Sequence, residues 1–117
     1  MLDLVTRLNE AFDIEILRKY FRYARKRGRF REYSGRHGFA RWRESHPFLA
    51  RHIVRTYGDP SGRIVVSPDE RKVTFSRMQK KDLHVEAPNG LSSLSQLECK
   101  KIARQLASEV FNEHIYF

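Results

Sequence analysis

The chain has little cysteine, no long apolar run and, over about a third of its length, almost no acid. A single cysteine, Cys99, stands among 117 residues. One thiol closes no internal disulfide and excludes a multi-cysteine zinc site. It also fits a reducing compartment, so the cytoplasm is the expected location. No apolar stretch approaches the roughly 20 residues of a membrane span. The opening Met1-Leu2-Asp3-Leu4-Val5 lacks the basic region and apolar core of a secretory leader, and none is expected. A membrane is therefore not an expected partner.

What remains fits a single domain over residues 1–117. A chain of this size can bury about two thirds of its unfolded surface, enough for one core without staples. Aromatics make up 12% of the residues, too many for a disordered tail.

The net charge of +9 is less telling than its location. From Arg18 to Arg55, thirteen Lys and Arg, eleven of them Arg, face only Glu32 and Glu44, leaving +11. The rest of the chain holds ten basic and twelve acidic residues, or −2. Arginine suits planar, bidentate contact with phosphate, whereas lysine would serve solubility alone. Tyr20, Phe21, Tyr23, Phe30, Tyr33, Phe39 and Trp42 interleave the run, and arginine with aromatics is a mixture that grips phosphates and stacks on bases. The plainer reading is a solvated helix face with core aromatics behind it. Crowding that many like charges is costly without an anionic partner, which favours the first reading.

Periodicity predicts the elements. Leu4, Val5, Leu8 and Phe12 suggest a short helix over 2–11. Asp13 then fits an N-cap, with Glu15 in the first turn of a second helix running from Ile14 to about Arg27 and stopping at Gly28. Its apolar face is Ile14, Leu17, Phe21 and Ala24. Arg18, Arg22, Arg25 and Arg29 form a separate ridge at steps of four, three and four. Gly28 to Gly38 reads as a basic loop, and Phe39 to Glu44 as one helical turn with Trp42 inward. Ser45-His46-Pro47 begins a helix that Gly58 closes. Ile64 and Val66, then Val73 and Phe75, alternate as a hairpin. Leu83 and Val85 suggest a third strand, ended by Pro88-Asn89-Gly90. Ser95-Gln96-Leu97-Glu98 is a capping-box pattern opening a long helix to about His114.

The expected fold is α+β, with a small three-stranded antiparallel sheet packed against N-terminal helices and a long C-terminal helix. The expected core is Leu17, Phe21, Trp42, Leu49, Ile53, Val66, Val73, Phe75, Ile102, Leu106 and Val110. By element order alone, helices followed by a basic hairpin resemble a winged helix, with Arg71-Lys72 at the wing. Residues 47 to 114 follow the order of a double-stranded RNA-binding domain. The Gly-Pro-x-His type loop before the third strand is absent, and order assigns neither family.

The expected function is docking on DNA or RNA phosphates, without catalysis, by one positive surface of Arg18, Arg22, Arg25, Lys26, Arg29, Arg31, Arg36, Arg41 and Arg43. Two alternatives stand beside it. A small metal-independent ribonuclease would use His37, His46 or His52 as acid and base, or Glu44 as base, with Arg41, Arg43 or Arg51 steadying the developing charge. An adaptor or inhibitor would dock on an acidic protein surface. No metal is expected, because the five histidines show no ligand spacing. Gly35-Arg36-His37-Gly38 could offer backbone N–H groups to a phosphate, but it lacks a P-loop ending, and no cofactor is expected.

Overall fold

The computed structural model describes residues 3–87, 90–91 and 96–115. Its elements are α1 (Leu4–Lys26), α2 (Gly38–Ser45), α3 (Pro47–Tyr57), β1 (Arg63–Val66), β2 (Lys72–Ser76), β3 (Leu83–Glu86) and α4 (Gln96–Ile115). The fold is α+β: a three-stranded antiparallel sheet, ordered β1-β2-β3, packs against α1 and the long α4. The capping-box Ser95, the turn residues Pro88 and Asn89, and Tyr116 and Phe117 lie outside the described residues.

Alternation in the strands sets the sheet. Ile64 pairs with Phe75, and Val73 with both Val66 and Val85. Ile64, Val73, Phe75 and Val85 are buried, while Val65 and His84 point outward. The inner face meets α1, where Phe12 stacks on Phe75 with ring centroids 5.0 Å apart. From α4 come Cys99, Ile102, Ala103, Leu106, Ala107, Val110 and Phe111, all buried. The α1–α4 seam is the most extensive contact between elements.

One helix replaces two in the N-terminal third. α1 is continuous over 23 residues, capped by the Asp3 carboxylate, which accepts from the Thr6 amide at 2.8 Å. Asp13 is therefore a mid-helix residue and not an N-cap. The two readings arose because α1 has two apolar faces. Leu8, Phe12 and Ile16 join the sheet core. Leu17 and Phe21 join a second, smaller core with Trp42, Ala50 and Ile53. Within the expected core list, Leu49 and Val66 are half-buried and pack at the margins of these two clusters.

The stop at Gly28 is a Schellman turn. Gly28 takes φ +85°, its N–H donates to the Arg25 carbonyl, and the Arg29 N–H donates to the Ala24 carbonyl. α2 and α3 share His46 as their only linking residue, with Pro47 at the first turn of α3. α3 packs chiefly on α1, so the helix–sheet layout that element order suggested for 47–114 is not present.

A buried guanidinium fastens the far end of the sheet. The Arg77 side chain is 2% exposed. Its Nη1 donates to Glu113 of α4 at 2.5 Å, and its Nε and Nη2 donate to the Lys81 carbonyl at 3.1 and 2.6 Å. Asp59, after α3, lies 4.0 Å away.

Candidate functional site

The +11 segment folds as one lobe. The second half of α1, the loop over 28–37, α2 and α3 close around Trp42, which has 0% exposure. Phe21, Phe30 and Phe39 surround it with centroids 5.0, 5.3 and 6.1 Å away. Most of the interleaved aromatics therefore build the interior of the lobe and the arginines its exterior, while Tyr23 packs on Phe111 at the sheet core. Segregation of charge along the chain becomes segregation in space.

On this lobe lies an open groove of about 460 Å³ lined by Arg18, Phe21, Arg22, Arg25, Lys26, Gly35, Arg36 and Phe39. Spacing along α1 explains one wall. Positions 18, 22 and 25 follow steps of four and three, so they share a helix face. The Schellman turn sends the chain back toward that face. Gly35, at φ +79°, then brings Arg36 to the groove. Gly38 fixes the return, because a Cβ there would stand 2.7 Å from the Tyr33 carbonyl oxygen. Among the described residues, no carboxylate lies within ion-pair distance of Arg22, Arg25, Lys26 or Arg36.

Arg18 is held differently. Its Nε lies 3.9 Å from the carboxylate of Glu15, and its guanidinium sits 4.5 Å from the Phe39 ring centroid. Arg43 approaches the same ring at 5.6 Å. Such cation–π contacts contribute about 0.5–1 kcal/mol at exposed sites and orient the planar group. Glu15 is 2% exposed and also faces Arg104 of α4 at 3.7 Å. The expected place for Glu15, a first helical turn, is thus corrected: it is a buried acid inside α1 that positions a groove arginine. Like charges crowd here too. Burial first, then the charge of Arg22, holds the Lys19 amine below the ordinary lysine range.

Of the nine cations read from the sequence, Arg18, Arg22, Arg25, Lys26 and Arg36 converge on the groove. Arg43 adjoins it through Phe39. The other three sit elsewhere on the lobe. The Arg31 guanidinium folds over Gly28, and Arg41 reaches the Glu32 carbonyl at 3.4 Å. Arg29 acts on Tyr57, whose hydroxyl is raised mainly by burial, with Arg29 opposing. The two turns of α2 exceed the single turn expected and place Arg41 and Arg43 on different sides of Trp42.

The residues of the ribonuclease alternative lie mostly on the exposed surface of the lobe. His37 is exposed at the start of α2, His52 is exposed on α3, and Glu44 is exposed. His46 is half-buried, with its Nε2 3.2 Å from the Tyr33 hydroxyl. No hydrogen bond or ion pair among the described residues joins any two of these four. The wing residues Arg71 and Lys72 line a second depression, shared with Asp69 and Glu86, where the signs are mixed. Among the described residues, no three His, Cys, Asp or Glu gather to hold a metal ion, and no helix is long and apolar enough to cross a membrane. Comparison with family models, with curated proteins and with solved structures found no match to this chain.

Proposed function

We propose that this chain binds nucleic acid through its phosphates, with the Trp42-centred lobe as the docking surface. The observation that carries the reading is the convergence of Arg18, Arg22, Arg25, Lys26 and Arg36 on one open groove, where all but Arg18 lack a carboxylate within ion-pair distance among the described residues. Several fixed cations around a concavity raise the local potential, and a polyanion relieves their mutual repulsion. Guanidinium groups offer paired donors that match phosphate oxygens. The reading is of a binder and not a catalyst: no hydrogen bond or ion pair among the described residues pairs His37, Glu44, His46 or His52 with another of the four.

Counterion release gives a quantitative test. Five neutralised phosphates on duplex DNA correspond to a slope of about −4.5 in log affinity against log salt. Titration of labelled DNA and RNA oligomers at several salt concentrations measures it. The double change Arg22→Ala and Arg25→Ala should reduce the slope by about two and weaken binding about ten- to a hundred-fold. Both side chains are exposed, so the melting curve should stay in place. A flat salt response, or a double variant that binds as well as the parent, removes the reading. A partner retained after nuclease treatment would favour an acidic protein surface instead.

A further inference from the structure

The outer face of α3 carries a second, different set of groups. Phe48, Arg51, His52 and Arg55 stand at steps of three, one and three, which places them on one side of the helix. All four are exposed, while Ala50 and Ile53 on the opposite side are buried around Trp42. α3 contains no acid, and neither Arg51 nor Arg55 has a carboxylate partner among the described residues.

Phe48 is 77% exposed, unlike Phe21, Phe30 and Phe39, which all lie in or against the small core. The Arg51 guanidinium lies beside it, 5.8 Å from the ring centroid. The first turn of α3 needs no apolar ring at this position, because Pro47 sets the backbone and the anchoring residues lie on the other side. A bare aromatic face flanked by unpaired cations is complementary to an unpaired nucleotide, which offers a π face and a phosphate together. A paired base within a duplex keeps its faces stacked. Arg51 and Arg55 are about 6 Å apart along the helix axis, a step that consecutive phosphates of an extended strand can follow.

We infer that this face binds single-stranded nucleic acid, with one base stacked on Phe48 and its flanking phosphates on Arg51 and Arg55. The inference rests on the proposed nucleic-acid reading and adds to it a preference for unpaired strand and a second contact outside the groove.

The test compares a fluorescein-labelled single-stranded DNA oligomer with its duplex, by anisotropy, on the full chain. Phe48→Ala should weaken single-strand binding about ten-fold, within the range measured for loss of one stacked base. Duplex binding should stay unchanged, and so should the melting temperature. Phe48→Trp, which keeps a stacking face, should restore single-strand affinity. An unchanged ratio of single-strand to duplex affinity in Phe48→Ala overturns this inference and leaves the groove reading standing. No binding of either oligomer by the parent chain overturns the groove reading and this inference with it. A parent that sediments as a dimer, with Phe48→Ala a monomer, would assign the face to a second copy of the chain.

Discussion

Changing Trp42 to alanine should destabilise the protein by about 3–5 kcal/mol, the range for truncating a large buried aromatic. The side chain has no exposed surface, and it organises a core of only five buried residues. It is the largest of the five, and Phe21, Phe30 and Phe39 all pack around it. The surrounding shell is rich in like charge, so a cavity at its centre removes attraction while the repulsion remains. In a thermal melt the loss should be about 9–30 °C for a chain of this size, using roughly 3–6 °C per kcal/mol. Trp42→Phe is the informative companion. Among the described residues the indole Nε1 has no hydrogen-bond partner, so losing that N–H removes a penalty and offsets part of the lost volume. Its cost should stay below about 1.5 kcal/mol. A Trp42→Ala protein that melts within a few degrees of the parent would show that the lobe is not built on this residue.

The second large effect lies at the other end of the molecule. Glu113→Ala should cost about 3 kcal/mol, because it strands the buried Arg77 guanidinium with only a carbonyl and the more distant Asp59. Arg77→Met should cost less. It removes the buried charge and leaves Glu113, whose side chain is 31% exposed and can be rehydrated. Urea denaturation of the two variants orders them, and the reverse order would contradict this account of the buried charge. Acid carries the same information. The hydrogen bond from Arg77 is the main cause that holds the Glu113 carboxyl below its ordinary value of 4.5. A carboxyl lowered on folding contributes stability that is complete above its unfolded value and lost as pH falls through the folded one. The parent should therefore lose stability below about pH 4.5, with a steeper fall than Arg77→Met shows in the same range. Parallel curves would separate Glu113 from acid unfolding.

Much of the fold was legible because its signals are local and periodic. The alternation of Ile64, Val73 and Phe75 could serve only a half-buried sheet, and the stripe from Cys99 to Phe111 only a helix. Gly28 announced its own turn through the one backbone conformation that glycine adopts freely. Asp13 and Glu15 misled for an equally physical reason. An acid followed two residues later by another is what a helix start looks like, and nothing local reveals that Phe12 and Ile16 continue across it. Glu15 is buried between Arg18 of its own helix and Arg104 of α4, and the second of these is not legible from local sequence. The site divides in the same way. Arg18, Arg22 and Arg25 could be grouped from helical spacing. Arg36 could not be placed opposite them, because its position depends on loop backbone at Gly35 and Gly38. Arg29 continues the ridge in sequence, yet the Schellman turn ends the helix before it can join. Phe48 carries no sequence signal that sets it apart from the buried aromatics, although its ring is exposed.

The unbroken course of α1 has one more consequence. Leu8 and Phe12 are rooted among the strands, while Leu17 and Phe21, on the same rod about 34 Å long, root the arginines. The cationic portion is therefore not a cassette that can be excised and transplanted. A graft beginning at Asp13 would take the +11 segment with its small core and leave behind Leu8 and Phe12, the part of the rod that anchors it to the strands.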